Sequence, residues 1–109
     1  MNLKEWRKLL PEVTGGLVRM RKKALNDGTI DSKYKLLIAI SLAISQKCEP
    51  CIISYLEKAQ GKITDEELKE TLEVVIMFLG CVGEQWAKKT WDYWKKLVND
   101  DKNSCCEGE

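Results

Sequence analysis

Cys48 and Cys51 stand two residues apart within residues 45–61, SQKCEPCIISYLEKAQG. The spacing admits three kinds of chemistry. As a redox pair, the cysteines belong at the start of the helix that Pro50 announces, because proline suits the first helical positions. Unpaired amide groups and the helix dipole there favour a thiolate, the nucleophile of disulfide exchange. A second thiol three positions away can then resolve the mixed disulfide. Glu49, between the two, opposes a thiolate by like charge, so a modest effect is expected. As half of a metal site, the pair needs further ligands. Cys105 and Cys106 are adjacent and do not make a second Cys-x-x-Cys, which disfavours zinc. The third reading, two small buried residues at a helix start, stays open, since free cysteine is often simply buried.

The chain of 109 residues contains no histidine, which removes every mechanism that needs an imidazole as base, acid or ligand. No metal and no cofactor are expected. With 18 basic and 17 acidic residues the net charge is +1, so neither nucleic acid nor an anionic membrane is an expected partner. The first ten residues show no signal-peptide pattern, and the longest apolar run, residues 36–44, is too short to span a bilayer. The expected setting is the cytoplasm, where stable structural disulfides are rare. A close cysteine pair there points to redox work or metal binding.

Helices must position these residues. Few glycines and prolines and strong 3.6-residue patterning predict an all-α fold of five to six helices. The first spans residues 3–10 and stops at Pro11; the second runs over 11–26. The stretch NDGTIDS is turn chemistry, with Asp31 or Ser32 available as a cap. The helix over 33–47 is apolar on nearly every side and is expected to be buried all round. A fourth runs from near Pro50 to before Gly61, with Glu49 outside it. Thr64 and Glu67 have capping-box spacing, and Ile63 and Leu68 the spacing of a hydrophobic staple. Leu68, Leu72, Val75, Ile76 and Leu79 share one face of the next helix. GCVG breaks the pattern, and a last helix over 82–98 carries Val82, Trp86, Tyr93 or Trp94, and Leu97 as its stripe. The tryptophans are therefore read as packing residues. Cys81 is read as a small residue at a close helix contact. Residues 1–98 are expected to form one domain, and 99–109, with Cys105 and Cys106, a mobile tail. The surplus of apolar surface favours an oligomer.

Residues 11–97 resemble the carboxymuconolactone decarboxylase and alkylhydroperoxidase D superfamily. The likeness lies in the ordered run DGTIDSKYKLLIAISLAISQKCEPCIISYLEKAQGKITDEELKETLEVV. It implies an all-helical fold assembled as homo-trimers or homo-hexamers. It also implies thiol–disulfide or hydroperoxide reduction, with a thiol reductant or a partner disulfide protein. The redox branch places a Glu ahead of its Cys-x-x-Cys with eleven residues between them, and a His four residues beyond the second cysteine; both relay protons. Here Leu36 and Tyr55 occupy those positions. Helical position and the resemblance point to Cys51 as attacking thiol and Cys48 as resolving thiol, with the reverse order open because pairs of this spacing often attack with the first cysteine; the two changed positions imply weakened peroxidase activity. Tyr55, one turn beyond Cys51, can donate a hydrogen bond to a thiolate or peroxide, but its high intrinsic pKa makes it a poor proton shuttle. Its simpler reading is a half-buried helix residue. The competing function is a non-enzymatic or redox-sensing scaffold that kept the fold and lost the chemistry.

Overall fold

A computed structural model describes residues 1–107, with side chains through Asp100. Five helices and no strand occur among the described residues. The chain divides into two compact units, Met1–Lys35 and Leu36–Glu109.

In the first unit, α1 (Leu3–Leu9) opens with a capping box that sequence reasoning missed. The Glu5 amide donates to Asn2 Oδ1 at 2.8 Å, and the Asn2 amide donates to the Glu5 carboxylate. Helix α2 (Pro11–Leu25) follows at once, and the Thr14 hydroxyl donates to the Leu10 carbonyl at 2.7 Å across the junction. Neither helix contains a buried residue. The turn after α2 leads into α3 (Ser32–Ser45). The Asp31 carbonyl accepts from the Tyr34 and Lys35 amides. The carboxylate serving the helix start is Asp27, which takes the Ser32 amide at 2.7 Å, rather than Asp31 or the Ser32 hydroxyl. Asp27 sits far enough back in the turn to reach over it.

In the second unit, α3 buries Leu36, Leu37, Ile40, Ala43 and Ile44 on one face. The expectation of all-round burial fails within a single chain, because Ile38 and Leu42 remain exposed. One chain of this size has too few elements to cover both faces. Helix α4 (Glu49–Ala59) buries Ile52, Leu56 and Ala59 at helical spacing. Gly61, at φ +78°, takes the left-handed conformation that lets the chain leave α4.

Helix α5 (Asp65–Glu107) is interrupted at Gly80, whose φ of 69° and ψ of −144° are non-helical. Its two arms, 65–79 and 81–107, fold back antiparallel. Trp94 and Lys95 meet Asp65, Lys69 lies over Trp91, and Gly83 meets Leu79. The first arm starts with the expected capping box: the Glu67 amide donates to Thr64 Oγ1, and the Thr64 amide to Glu67 Oε1. It buries Leu68, Leu72 and Val75 as the pattern requires, and Ile63 is buried beside them in sequence.

The stripe on the second arm agrees with expectation at Trp94 and differs elsewhere. Buried positions are Gly83, Ala87, Thr90 and Trp94, while Val82 is exposed. The cause is close packing of the arms. A Cβ at Gly83 would lie 2.6 Å from Leu79 Cβ, so only a small residue fits beside the kink, while further along the buried Trp94 meets the first arm at Asp65. Thr90 is buried without penalty, since its hydroxyl donates to the Trp86 carbonyl at 2.8 Å. The close contact assigned to Cys81 belongs to Gly83; Cys81 is free and exposed. The helix assignment runs through Glu107, and the side chains of Cys105 and Cys106 lie outside the described residues. Among the described residues no helix is long and apolar enough to cross a membrane.

Candidate functional site

The chain reaches the cysteines through an unusual helix exit. The Lys47 amide donates to the Ile44 carbonyl and the Cys48 amide to the Ala43 carbonyl. This is the paired bonding of a Schellman motif, and it places Lys47 at φ +54°, where glycine is the usual occupant. The backbone then extends at Cys48, the N-cap of α4, and the Ile52 amide donates to the Cys48 carbonyl at 2.9 Å. That bond makes Glu49 the first helical residue rather than one outside the helix. Pro50 costs nothing there, because amides of the first turn have no intrahelical partner.

Cys48 and Cys51 are joined by a disulfide, with Sγ–Sγ 2.07 Å and Cα–Cα 5.2 Å. Both are half-buried. The bond closes the first turn of α4 on itself, from the N-cap to the third helical position. On reduction, both sulfurs would lie where unpaired amides and the positive end of the helix dipole favour a thiolate.

Tyr55 follows Cys51 by four positions, one turn along α4, and is half-buried with the Lys58 ammonium 5.2 Å from its ring centre. Leu36 is 2% exposed, an apolar side chain set in the core. It supplies no acid or base. Among the described residues no three Cys, Asp or Glu side chains cluster as a metal site.

Sequence reasoning missed the surroundings of Glu49. Its carboxylate has partners on the second arm of α5. The Tyr93 hydroxyl donates to Glu49 Oε1, and the Lys89 ammonium lies 3.4 Å from the same oxygen. Lys89 also lies over the Trp86 ring, 4.8 Å from its centre. Lys89 and Tyr93 are four apart on one helical face, a spacing visible in the sequence, but nothing there links that face to Glu49. A second group tying the hairpin together is Asp65. It accepts from the Trp94 indole at 2.8 Å and from Lys95 at 3.1 Å. These two hydrogen bonds hold the Asp65 carboxyl below its usual range.

A groove of about 930 Å³ lies between the arms of α5, lined by Glu66, Lys69, Leu72, Lys88 and Trp91 among others. It includes no part of the cysteine pair. The chemistry at Cys48 and Cys51 is therefore presented at a helix start rather than inside that groove.

Comparison with known proteins agrees with this architecture. Residues 11–92 match the carboxymuconolactone decarboxylase family. An uncharacterized protein of Cupriavidus necator is 30% identical over 88 residues, covering 80% of this chain and 78% of that protein. The crystal structure of a carboxymuconolactone decarboxylase family protein from Legionella pneumophila superposes with a TM-score of 0.82 at 30% identity, covering 86% of this chain and 85% of that one. A family protein from Thermotoga maritima, for which a role in antioxidative response has been suggested, superposes at 0.74 with 22% identity, covering 83% of this chain and 94% of the other. The latter likeness is one of fold. The chain belongs to the carboxymuconolactone decarboxylase family, and it carries a bonded Cys-x-x-Cys pair.

Proposed function

We propose that this protein is a cytoplasmic thiol–disulfide oxidoreductase with weak hydroperoxide reductase activity. The observation that carries the reading is the disulfide between Cys48 and Cys51 on the first turn of α4. In the reduced protein the Cys51 thiolate attacks one sulfur of a partner disulfide. A mixed disulfide forms and the partner's other sulfur leaves as a thiolate. Cys48 then attacks the Cys51 sulfur, closing the intramolecular bond and releasing the second partner thiol. Two electrons and two protons pass from the pair to the partner. A thiol reductant reverses the change at the pair.

With a hydroperoxide, the thiolate would take the terminal oxygen as a sulfenic acid and release an alcohol. Cys48 would expel that oxygen as water and close the same disulfide. This route needs a proton for the leaving alkoxide. Buried Leu36 cannot give one, and Tyr55 gives one poorly near neutrality. The peroxidase activity is therefore slow. Leu36 also supports a second reading, a redox-sensing scaffold whose pair opens and closes without turnover.

The test is equilibration of the protein in graded dithiol–disulfide buffers, with mass-spectrometric assignment of the bond, followed by turnover of a disulfide substrate. Reversible Cys48–Cys51 bonding with turnover supports the enzyme. Reversible bonding without turnover supports the scaffold. A pair that neither opens nor re-forms refutes both. In the Cys48→Ser variant Cys51 should accumulate a mixed disulfide; accumulation only in Cys51→Ser reverses the two roles.

A further inference from the structure

We propose that Tyr93 and Lys89 are positioning residues for the cysteine pair, acting through Glu49. The proposal rests on the reading of Cys48 and Cys51 as a redox pair. Glu49 lies between the cysteines in sequence and is the first residue of α4. A carboxylate at that place harms a thiolate in two ways. Its charge repels the thiolate. It can also turn back onto the unpaired amides of the first turn, competing for the donors that stabilise the sulfur.

The second arm of α5 removes both effects. The Tyr93 hydroxyl and the Lys89 ammonium converge on a single atom, Glu49 Oε1. The hydroxyl satisfies the carboxylate outside its own helix. The ammonium offsets its charge, and the Trp86 ring under Lys89 limits where that long side chain goes. Glu49 and Lys89 are 43% and 50% exposed, so this is a partly solvated clamp whose value is directional rather than strongly stabilising. Glu49, Lys89 and Tyr93 are titratable groups that α4 and α5 bring together here, and exposed Lys47 directly precedes Cys48 in the chain. The clamp does not stand in for the proton relay. It instead keeps the first turn of α4 free for the sulfur.

A carboxylate released by loss of the clamp to lie within about 7 Å of the thiolate, in water-like surroundings, would change its equilibrium about threefold. That sets the size of the effect. The experiment uses the full reduced chain and peptide-resolved iodoacetamide labelling of the Cys48–Cys51 peptide across a pH series. Tyr93→Phe, which changes no charge, should raise the midpoint of labelling and slow it about threefold below that midpoint. Glu49→Ala should leave it near the native value, because the clamp already offsets the carboxylate. Adding Tyr93→Phe to Glu49→Ala should then change nothing. Lys89→Gln, at a half-exposed position that tolerates substitution, is the second probe. It should slow labelling more in the native background than beside Glu49→Ala.

A Tyr93→Phe variant of unchanged helicity that labels like the native protein overturns the proposal. So does an equal slowing in the Glu49→Ala background, which would mean that Tyr93 does not act through Glu49. Should Tyr93→Phe lose helicity, an equal effect of Lys89→Gln in both backgrounds overturns it. The assay contains no partner disulfide. Failure of substrate turnover thus leaves the clamp standing, and failure of the clamp leaves turnover untouched.

Discussion

Restoring a proton relay should convert slow peroxide reduction into fast, and the double variant Leu36→Glu with Tyr55→His tests it. The cost falls on position 36. Leu36 is 2% exposed, so the change forfeits about 2 kcal/mol of apolar burial. A carboxyl there is also desolvated. Each unit by which burial raises its pKa costs about 1.4 kcal/mol, and two to three units is an ordinary rise, so about 3–4 kcal/mol more is lost. The sum of roughly 5–6 kcal/mol rivals the whole stability of a small domain, about 5–15 kcal/mol. Folding must therefore be measured first, by circular dichroism and urea denaturation. Tyr55→His alone is the safer step, because Tyr55 is half-exposed. The gain is set by general acid–base catalysis, about 10²–10⁴-fold for a well-placed group. The assay is consumption of an organic hydroperoxide coupled to a dithiol. The reasoning is refuted if the native protein already turns over as fast as the folded double variant. It is refuted equally if neither folded variant gains at all.

Four further outcomes are expected. Gly83→Ala should destabilise by roughly 1–2 kcal/mol in urea denaturation: overpacking at the 2.6 Å approach to Leu79 outweighs the roughly 1 kcal/mol of helix propensity that Gly16→Ala, which meets only the Arg19 side chain, should gain. Cys81, being exposed, should label rapidly in the native oxidised protein while Cys48 and Cys51 do not label until reduced; a slow Cys81 would show that its surface is covered in solution. Asp65 has its pKa lowered by Trp94 and Lys95, so its contribution to stability is present above the unfolded carboxyl range and lost as pH falls through the lower folded value. Asp65→Asn should lower the urea midpoint at pH 7, with the gap to the native protein shrinking in strong acid; at 42% exposure the effect is modest. The chain should elute as a homo-oligomer, a trimer or hexamer, because Leu42, Met77 and Phe78 are exposed, Phe78 by 81%; Phe78→Asp should reduce the measured mass in light scattering, and a stable native monomer would count against this.

What could be read from the sequence was what depends on near neighbours. Thr64 with Glu67, Gly61 after α4 and the break at Gly80 are each fixed by residues within a turn of one another. The helix that carries Cys48 and Cys51 is local in the same sense: Pro50 and the apolar spacing of Ile52, Leu56 and Ala59 define it. The failures of packing lie where two elements meet, while the Asn2–Glu5 capping box, the Asp27 cap and the place of Glu49 in α4 are local features that were missed or misassigned. Large residues suggested Val82 and Trp86 as the buried stripe, yet an antiparallel hairpin this close demands Gly83, Ala87 and Thr90 instead. Hydrophobicity measures how much a side chain gains from burial and says nothing about the space available. Cys81 was misplaced for the same reason, since the small residue at the contact is two positions further on. Glu49 is the case that matters for chemistry. Read alone, it is a like charge beside a thiolate. Its partners Lys89 and Tyr93 lie some forty residues away on another helix and change the sign of the argument, from a carboxylate that hinders the sulfurs to one held off them. With Leu36 in the core and Tyr55 one turn beyond Cys51, neither of them charged at neutral pH by ordinary chemistry, the electrostatics of the pair must be sought in such long-range contacts rather than in the motif itself.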